Sequence, residues 1–213
     1  MEEKGNMKVN ILYSGGYASN CYLLTSDDGT ESVLIDPSVS YDFVFRQCGK
    51  LPPINKILLT HAHFDHVLCL DEWRDKTGAK VYATLPESEA LTDANKNANL
   101  VFFGLNKTYN SADKIIADGD VITFGDNKLK VLVSSGHTLG SCCYYDGNIA
   151  FTGDTIFADG GVGRTDLYGG SREELIKSLS RIFSLFDGDT VIYPGHGRQS
   201  TIKKEIHNHQ AII

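Results

Sequence analysis

The sequence predicts an α/β (α+β) fold in which two sheets pack face to face with helices on their outer sides. Three observations carry this expectation. Short runs rich in β-branched and aromatic residues precede helix-like stretches, and the order occurs twice, with a seam near Asp113 to Gly119. Ile54 to Leu59 is a nearly continuous apolar run, the mark of a strand covered on both faces. No linker or low-complexity segment interrupts the 213 residues, so a single domain over 1–213 is expected.

In the first half, Val9 to Tyr13, Cys21 to Thr25 and Ser32 to Ile35 read as strands, with Asp27-Asp28-Gly29 as a turn between the last two. Tyr41 to Cys48 reads as a short helix stopped by Gly49 and Pro52-Pro53. A helix is expected around Val67 to Lys76 and a strand at Lys80 to Ala83. Pro86, with Glu87 and Glu89 behind it, looks like a helix start, because acids favour the positive end of the helix dipole. Asn95 to Asp113 is polar and loop-like.

The second half offers strands at Val121 to Phe124, Leu129 to Ser134, Cys142 to Tyr145 and Asn148 to Thr152, with Asp146-Gly147 as a two-residue hairpin turn. Ser171-Arg172-Glu173-Glu174 is a capping box. Behind it, Leu175, Ile176, Leu179, Ile182, Phe183 and Phe186 follow helical spacing. Val191 to Tyr193 is a last strand and Gln199 to His207 a last helix, with His207 and His209 as tail residues.

The net charge of −7 disfavours a nucleic-acid backbone as partner, and no run approaches membrane-spanning length. A small-molecule substrate is the expected partner. Five cysteines in no disulfide-like spacing, and Met1 to Asn6 without a signal-peptide pattern, make the cytoplasm the expected location. Cys142-Cys143 reads as small apolar residues of a buried strand rather than as a redox pair.

Thr60-His61-Ala62-His63-Phe64-Asp65-His66 follows directly on the buried run Ile57-Leu58-Leu59. Residues two apart in extended backbone point the same way, so His61 and His63 can grip one ion together. Asp65 and His66, at the turn that follows, point elsewhere and can hold a second. Imidazole and carboxylate without thiolate suit zinc, iron or manganese. His137, Asp154 and His196 each follow a predicted strand, and each is flanked by glycine, which lets backbone approach a crowded site.

With Leu34-Ile35-Asp36-Pro37, these motifs make the chain resemble the metallo-β-lactamase-fold superfamily over nearly its whole length. The resemblance implies an αββα four-layer sandwich with a site for two divalent metal ions, zinc in the first place, at one edge. It implies that His61, His63 and His137 hold one ion, that Asp65, His66 and His196 hold the other, and that Asp154 bridges them. Asp36 looks like the carboxylate behind a ligand. Two ions roughly 3.5–4 Å apart would clamp a bridging water and lower its pKa toward about 7. Hydrolysis then needs no protein nucleophile, and Asp65 and Asp154 are the expected catalytic carboxylates.

Within the superfamily the chain is most similar to short glyoxalase II-like hydrolases, through Gly153 to Phe157, Gly163 to Gly170 and Pro194 to Gly197. This implies thioester hydrolysis, typically of S-lactoylglutathione. Arg164 falls where glutathione-using relatives carry a carboxylate-binding residue, and an ion pair with Asp166 is the alternative role. Asp166 and Arg198 stand where those relatives carry tyrosines, so Arg198 is a further candidate for substrate contact. The helical domain that completes full-length glyoxalase II is not expected here. The competing expectation is a persulfide dioxygenase with a single iron, whose motif is broken by Val162 and Tyr168. Nucleases and β-lactamases sharing the fold fit the charge and the ligand pattern less well.

Overall fold

The computed structural model describes residues 7–12, 17–49 and 51–210. The expected strand end at Tyr13, the stretch Met1 to Asn6 and the thiol of Cys48 lie outside the described residues. The chain forms two six-stranded mixed sheets. The first contains β1 (Lys8–Leu12), β2 (Cys21–Thr25), β3 (Ser32–Ile35), β4 (Ile54–Leu58), β5 (Lys80–Thr84) and β6 (Lys114–Ile116), side by side in chain order. Its first three strands pair antiparallel and β3 to β6 pair parallel. The second contains β7 (Val121–Phe124), β8 (Asn127–Val133), β9 (Cys142–Tyr145), β10 (Ile149–Gly153), β11 (Val191–Pro194) and β12 (Ser200–Thr201). Here only β10 and β11 pair parallel.

Side chains alternate between two environments with the period of a strand. Val33 and Ile35 of β3 face the second sheet and meet an inter-sheet core containing Phe124, Val131, Tyr144 and Phe151. Leu34, between them, faces the other way and packs with Ile57, Val81, Val44 and Trp73. The second sheet repeats the scheme. Val131, Cys142 and Tyr144 point inward, while Leu132 and Cys143 point out against Leu175, Leu179 and Ile182. Helices α1 (Tyr41–Cys48), α2 (Leu70–Thr77), α3 (Leu85–Leu91) and α4 (Asn99–Phe103) follow strands of the first sheet, and α5 (Arg172–Leu185) and α6 (Ile202–Asn208) those of the second. Four layers, α/β/β/α, result. Cys142 and Cys143 are fully buried free thiols and behave as apolar residues. Among the described residues no helix is long and apolar enough to cross a membrane.

Several local expectations shift. The boundary between the sheets falls at 117–120, because Lys114–Ile116 pairs with β5 as the edge of the first sheet. The segment expected to be a loop contains α4, organised by Asn97, whose amide donates to the Lys107 carbonyl and whose Oδ1 accepts from Asn99 N. The hairpin turn lies one residue later than expected. Asp146 N donates to the Ile149 carbonyl, so Gly147-Asn148 is the two-residue turn, with Gly147 at positive φ. Ser200–Thr201 pairs with β11, which delays α6 to Ile202. His209 is not a tail residue but is fully buried, its Nδ1–H donating to the Glu205 carbonyl and its ring against Phe183. His207 is exposed.

Candidate metal centre

Five strands deliver the site residues from their carboxyl ends. Asp36 follows β3, the His61 to His66 stretch follows β4, His137 follows β8, Asp154 follows β10 and His196 follows β11. These ends lie at one edge of the sandwich, so residues far apart in sequence converge there. All seven expected ligands come together.

His63 Nδ1 lies 2.9 Å and His61 Nε2 3.2 Å from His137 Nε2, in fully or almost fully buried surroundings. Beside this trio, His196 Nε2 is 3.1 Å from Asp65 Oδ2, and His66 Nε2 is 3.2 Å from Asp154 Oδ1. Asp154 stands between the groups, its Oδ2 being 3.6 Å from both His137 Nε2 and His196 Nε2. The donor atoms of His61, His63 and His137 lie within 4.8 Å of one another, as do those of Asp65, His66 and His196.

Three of the rings are turned by what their other nitrogen meets. Asp36 Oδ2 takes the Nδ1–H of His66 at 2.8 Å, leaving Nε2 to face the site. The Thr60 hydroxyl donates to Asp36 and accepts from His61 Nδ1 at 3.2 Å. His137 Nδ1 donates to the Arg164 carbonyl at 2.7 Å. The unshared pairs of His61, His66 and His137 therefore point inward. His66 Nε2 and Asp154 Oδ1 are buried, and apart from their 3.2 Å contact with each other, which lacks hydrogen-bond geometry, neither has a partner. Buried polar atoms left this way are costly unless something else satisfies them, and cations would do so here.

The electrostatics differ between the two groups. Burial, then the neighbouring imidazoles, hold His61 well below the ordinary histidine range, and burial and His137 bring His63 down to about 3. Both stay neutral and able to ligate at pH 7. Burial would lower His66 as well, but the carboxylates of Asp154, Asp36 and Asp65 outweigh it and raise that group. Against their own burial, Asp154 and Asp65 are kept ionised, chiefly by the adjacent His66.

The flanking glycines are required by space. A Cβ on Gly195 would strike Asp154 Oδ1 and, at 2.7 Å, His66 Cε1. One on Gly163 would strike the Asp154 carbonyl and the His137 ring. Gly153, at positive φ, lies against Thr60.

Glu87 escapes a reading of the sequence. It is a buried carboxylate whose Oε2 accepts from Ala62 N at 2.8 Å and whose Oε1 accepts from Thr138 Oγ1 at 2.7 Å and Gly140 N at 2.9 Å. It thus binds the loop carrying His61 and His63 to the loop carrying His137. Its only sequence signal is a carboxylate in the first turn of α3, which the helix dipole explains equally well.

Two further expected residues are placed differently. Arg164 lines the cavity over the site, but its Nε and Nη2 donate to Asp166 at 2.6 and 2.7 Å. Its guanidinium also lies 5.5 Å from the Phe102 ring centroid. Arg198 pairs with Asp159 at 2.6 Å and is not among the residues lining the cavity.

A family model described as the metallo-beta-lactamase superfamily matches residues 14–196. The chain is 34% identical to the probable metallo-hydrolase YqgX of Bacillus subtilis, covering 93% of this chain and 94% of that one. It is 26% identical to hydroxyacylglutathione hydrolase GloC of Haemophilus influenzae, covering 93% and 95%. Among solved structures, the BLEG-1 B3 metallo-beta-lactamase superposes with a TM-score of 0.87 at 31% identity, covering 96% of this chain and 99% of that one. TTHA1623 in a di-iron-bound form superposes with a TM-score of 0.79 at 32% identity, covering 94% and 98%.

Proposed function

The chain belongs to the metallo-beta-lactamase superfamily, and from that premise we propose that it is a dinuclear metal-dependent hydrolase of a thioester or related small ester. The observation that carries this reading is the position of Asp154, equidistant from one histidine of each ligand group. Zinc is the first choice of ion, with iron and manganese also compatible with the donors.

When bound, two such ions supply Lewis acidity and water of lowered pKa. His61, His63 and His137 offer unshared pairs for one ion, and Asp65, His66 and His196 donors for the other, with Asp154 between them. Asp65 and Asp154 are the carboxylates that line the cavity, and the Asp65 carboxylate is the group that would accept a proton from the attacking water. Burial pushes the Cys142 thiol well up and the Cys143 thiol to about 11, so neither serves as a nucleophile at pH 7. The likeness to a relative named as a hydroxyacylglutathione hydrolase supports the thioester as substrate class. Arg164 and Arg198 are already paired with Asp166 and Asp159, so a substrate carboxylate at either would share or compete for the guanidinium.

The test joins metal analysis of the purified protein to a turnover screen of S-lactoylglutathione, simple thioesters, lactones and phosphodiesters. Two metal equivalents and thioester turnover are expected. One iron per chain with oxygen consumption on glutathione persulfide would overturn the hydrolase reading in favour of a dioxygenase.

A further inference from the structure

We propose that this site selects substrates by an apolar acyl chain, and that α4 supplies the wall that reads it. The inference rests on the hydrolase reading above and concerns only which ester is preferred.

A cavity of about 290 Å³ opens over the candidate ligands, with His63, Asp65, His137, Asp154 and His196 among its lining residues. Its remaining lining includes Phe64, Phe102, Phe157 and Leu167. The Phe64 ring, set between two metal ligands in sequence, lies 5.2 Å from the Phe102 ring and 4.9 Å from that of Phe103. Phe64 N also donates to the Asn97 carbonyl at 2.9 Å, which fastens the segment leading into α4 to the metal-binding loop. The wall is thus built onto the centre it faces.

Its outer surface is apolar to an unusual degree. Leu100, Val101, Phe102 and Phe103 are 46%, 55%, 47% and 50% exposed, four large apolar side chains in a row. Phe102 is the one of these that lines the cavity, and exposed apolar side chains grouped beside a cavity mark a surface that is covered in use. Charge decides what covers it. Among the described residues Arg164 is the one Lys or Arg lining the cavity, and Asp166 holds it on two nitrogens while Phe102 lies beneath it. With the Arg164 charge offset by Asp166, the apolar lining is the larger source of binding energy. The chemistry that fits is a thioester, or an ester of the same shape, with a neutral leaving group and an alkyl or aryl acyl chain laid along Phe102. Hydrolysis adds water across the acyl C–S bond, giving the carboxylic acid and the free thiol.

The experiment uses the metal-loaded protein and two matched series, S-acyl-N-acetylcysteamines and S-acylglutathiones, with acyl chains from two to eight carbons. In the neutral series kcat/KM is expected to rise at least twofold per added methylene until the cavity is filled. Phe102→Ala is expected to flatten that slope. Leu185→Ala, which removes an exposed apolar side chain on α5, is expected to leave it unchanged. Turnover independent of chain length, or S-acylglutathiones hydrolysed more than tenfold faster than their neutral partners, would overturn the inference while leaving the hydrolase reading intact. Absence of hydrolysis in both series and in the esters, with two ions bound, would overturn both.

Discussion

His66 Nδ1 lies 2.8 Å from Asp36 Oδ2, and both side chains are buried. Asp36 also accepts from Thr60 N at 2.8 Å and Thr60 Oγ1 at 2.6 Å. One carboxylate therefore orients His66 directly and His61 through a hydroxyl, which places it behind a ligand of each expected ion. Such partners hold the ring and raise its basicity as a ligand.

Asp36→Asn tests this. Asp36 has φ 51°, a left-handed conformation that asparagine tolerates, so the backbone should survive. The amide replaces one accepting oxygen with a donor. Metal affinity is expected to fall by about 10–100-fold, measured by competition with a chromophoric chelator, while circular dichroism stays unchanged. Native affinity in the variant would remove Asp36 from the design of the site.

Glu87 offers a second test. Glu87→Ala leaves Ala62 N and Gly140 N without their buried acceptor, at about 1–3 kcal/mol for each group left unsatisfied, while the Thr138 hydroxyl can still bond Ser141. Glu87→Gln keeps the volume but turns one acceptor into a donor. Both variants are expected to melt earlier, and the cobalt-loaded Gln variant should show an altered visible spectrum, because the loops carrying His61, His63 and His137 shift. A wild-type spectrum with a lowered melting point would confine Glu87 to stability.

Much of this candidate site was legible because its candidate ligands announce themselves locally. His61 to His66 are nearly consecutive, and His137, Asp154 and His196 each follow a strand with glycine beside them. Glu87 was not, since its partners lie 25, 51 and 53 residues away and only folding brings them together. Likewise β6 is three residues long, too short for alternation to register, and α4 is a five-residue helix inside an asparagine-rich stretch. His209 carries no periodic signal, and its burial comes from packing on Phe183. The ion pair of Arg164 with Asp166 was readable as one of two roles, because the partner stands two residues on; which role prevails depends on where the guanidinium is held.

Glu31 links the two halves and should make stability depend on acid. It accepts from Lys56 Nζ at 2.6 Å and from Gly125 N, in the turn between β7 and β8, at 2.9 Å. Burial would raise its pKa, but Lys56 and the Gly125 amide outweigh this and hold it below the usual 4.5. A carboxylate depressed by folding adds stability above its unfolded pKa and loses it as the pH falls through the folded value. Glu31→Gln should therefore lower the urea midpoint at pH 7, and the gap should narrow as the pH falls below 4.5. A gap independent of pH would assign the contribution to packing.

Metal removal closes the set. Without ions, His66 Nε2 and Asp154 Oδ1 have only their poorly aligned contact with each other, and three imidazole nitrogens crowd within hydrogen-bonding range. Ions bound only by the folded chain stabilise it by mass action, about 4 kcal/mol per site when free metal exceeds Kd a thousandfold. For a chain of this size that is roughly 8–16 °C in melting temperature per site. Dialysis against a chelator should lower the melting temperature by such an amount and abolish hydrolysis, and two equivalents of zinc should restore both. Full restoration by one equivalent would mean that a single ion suffices, and Asp154 would then be a ligand or a neighbour rather than a bridge.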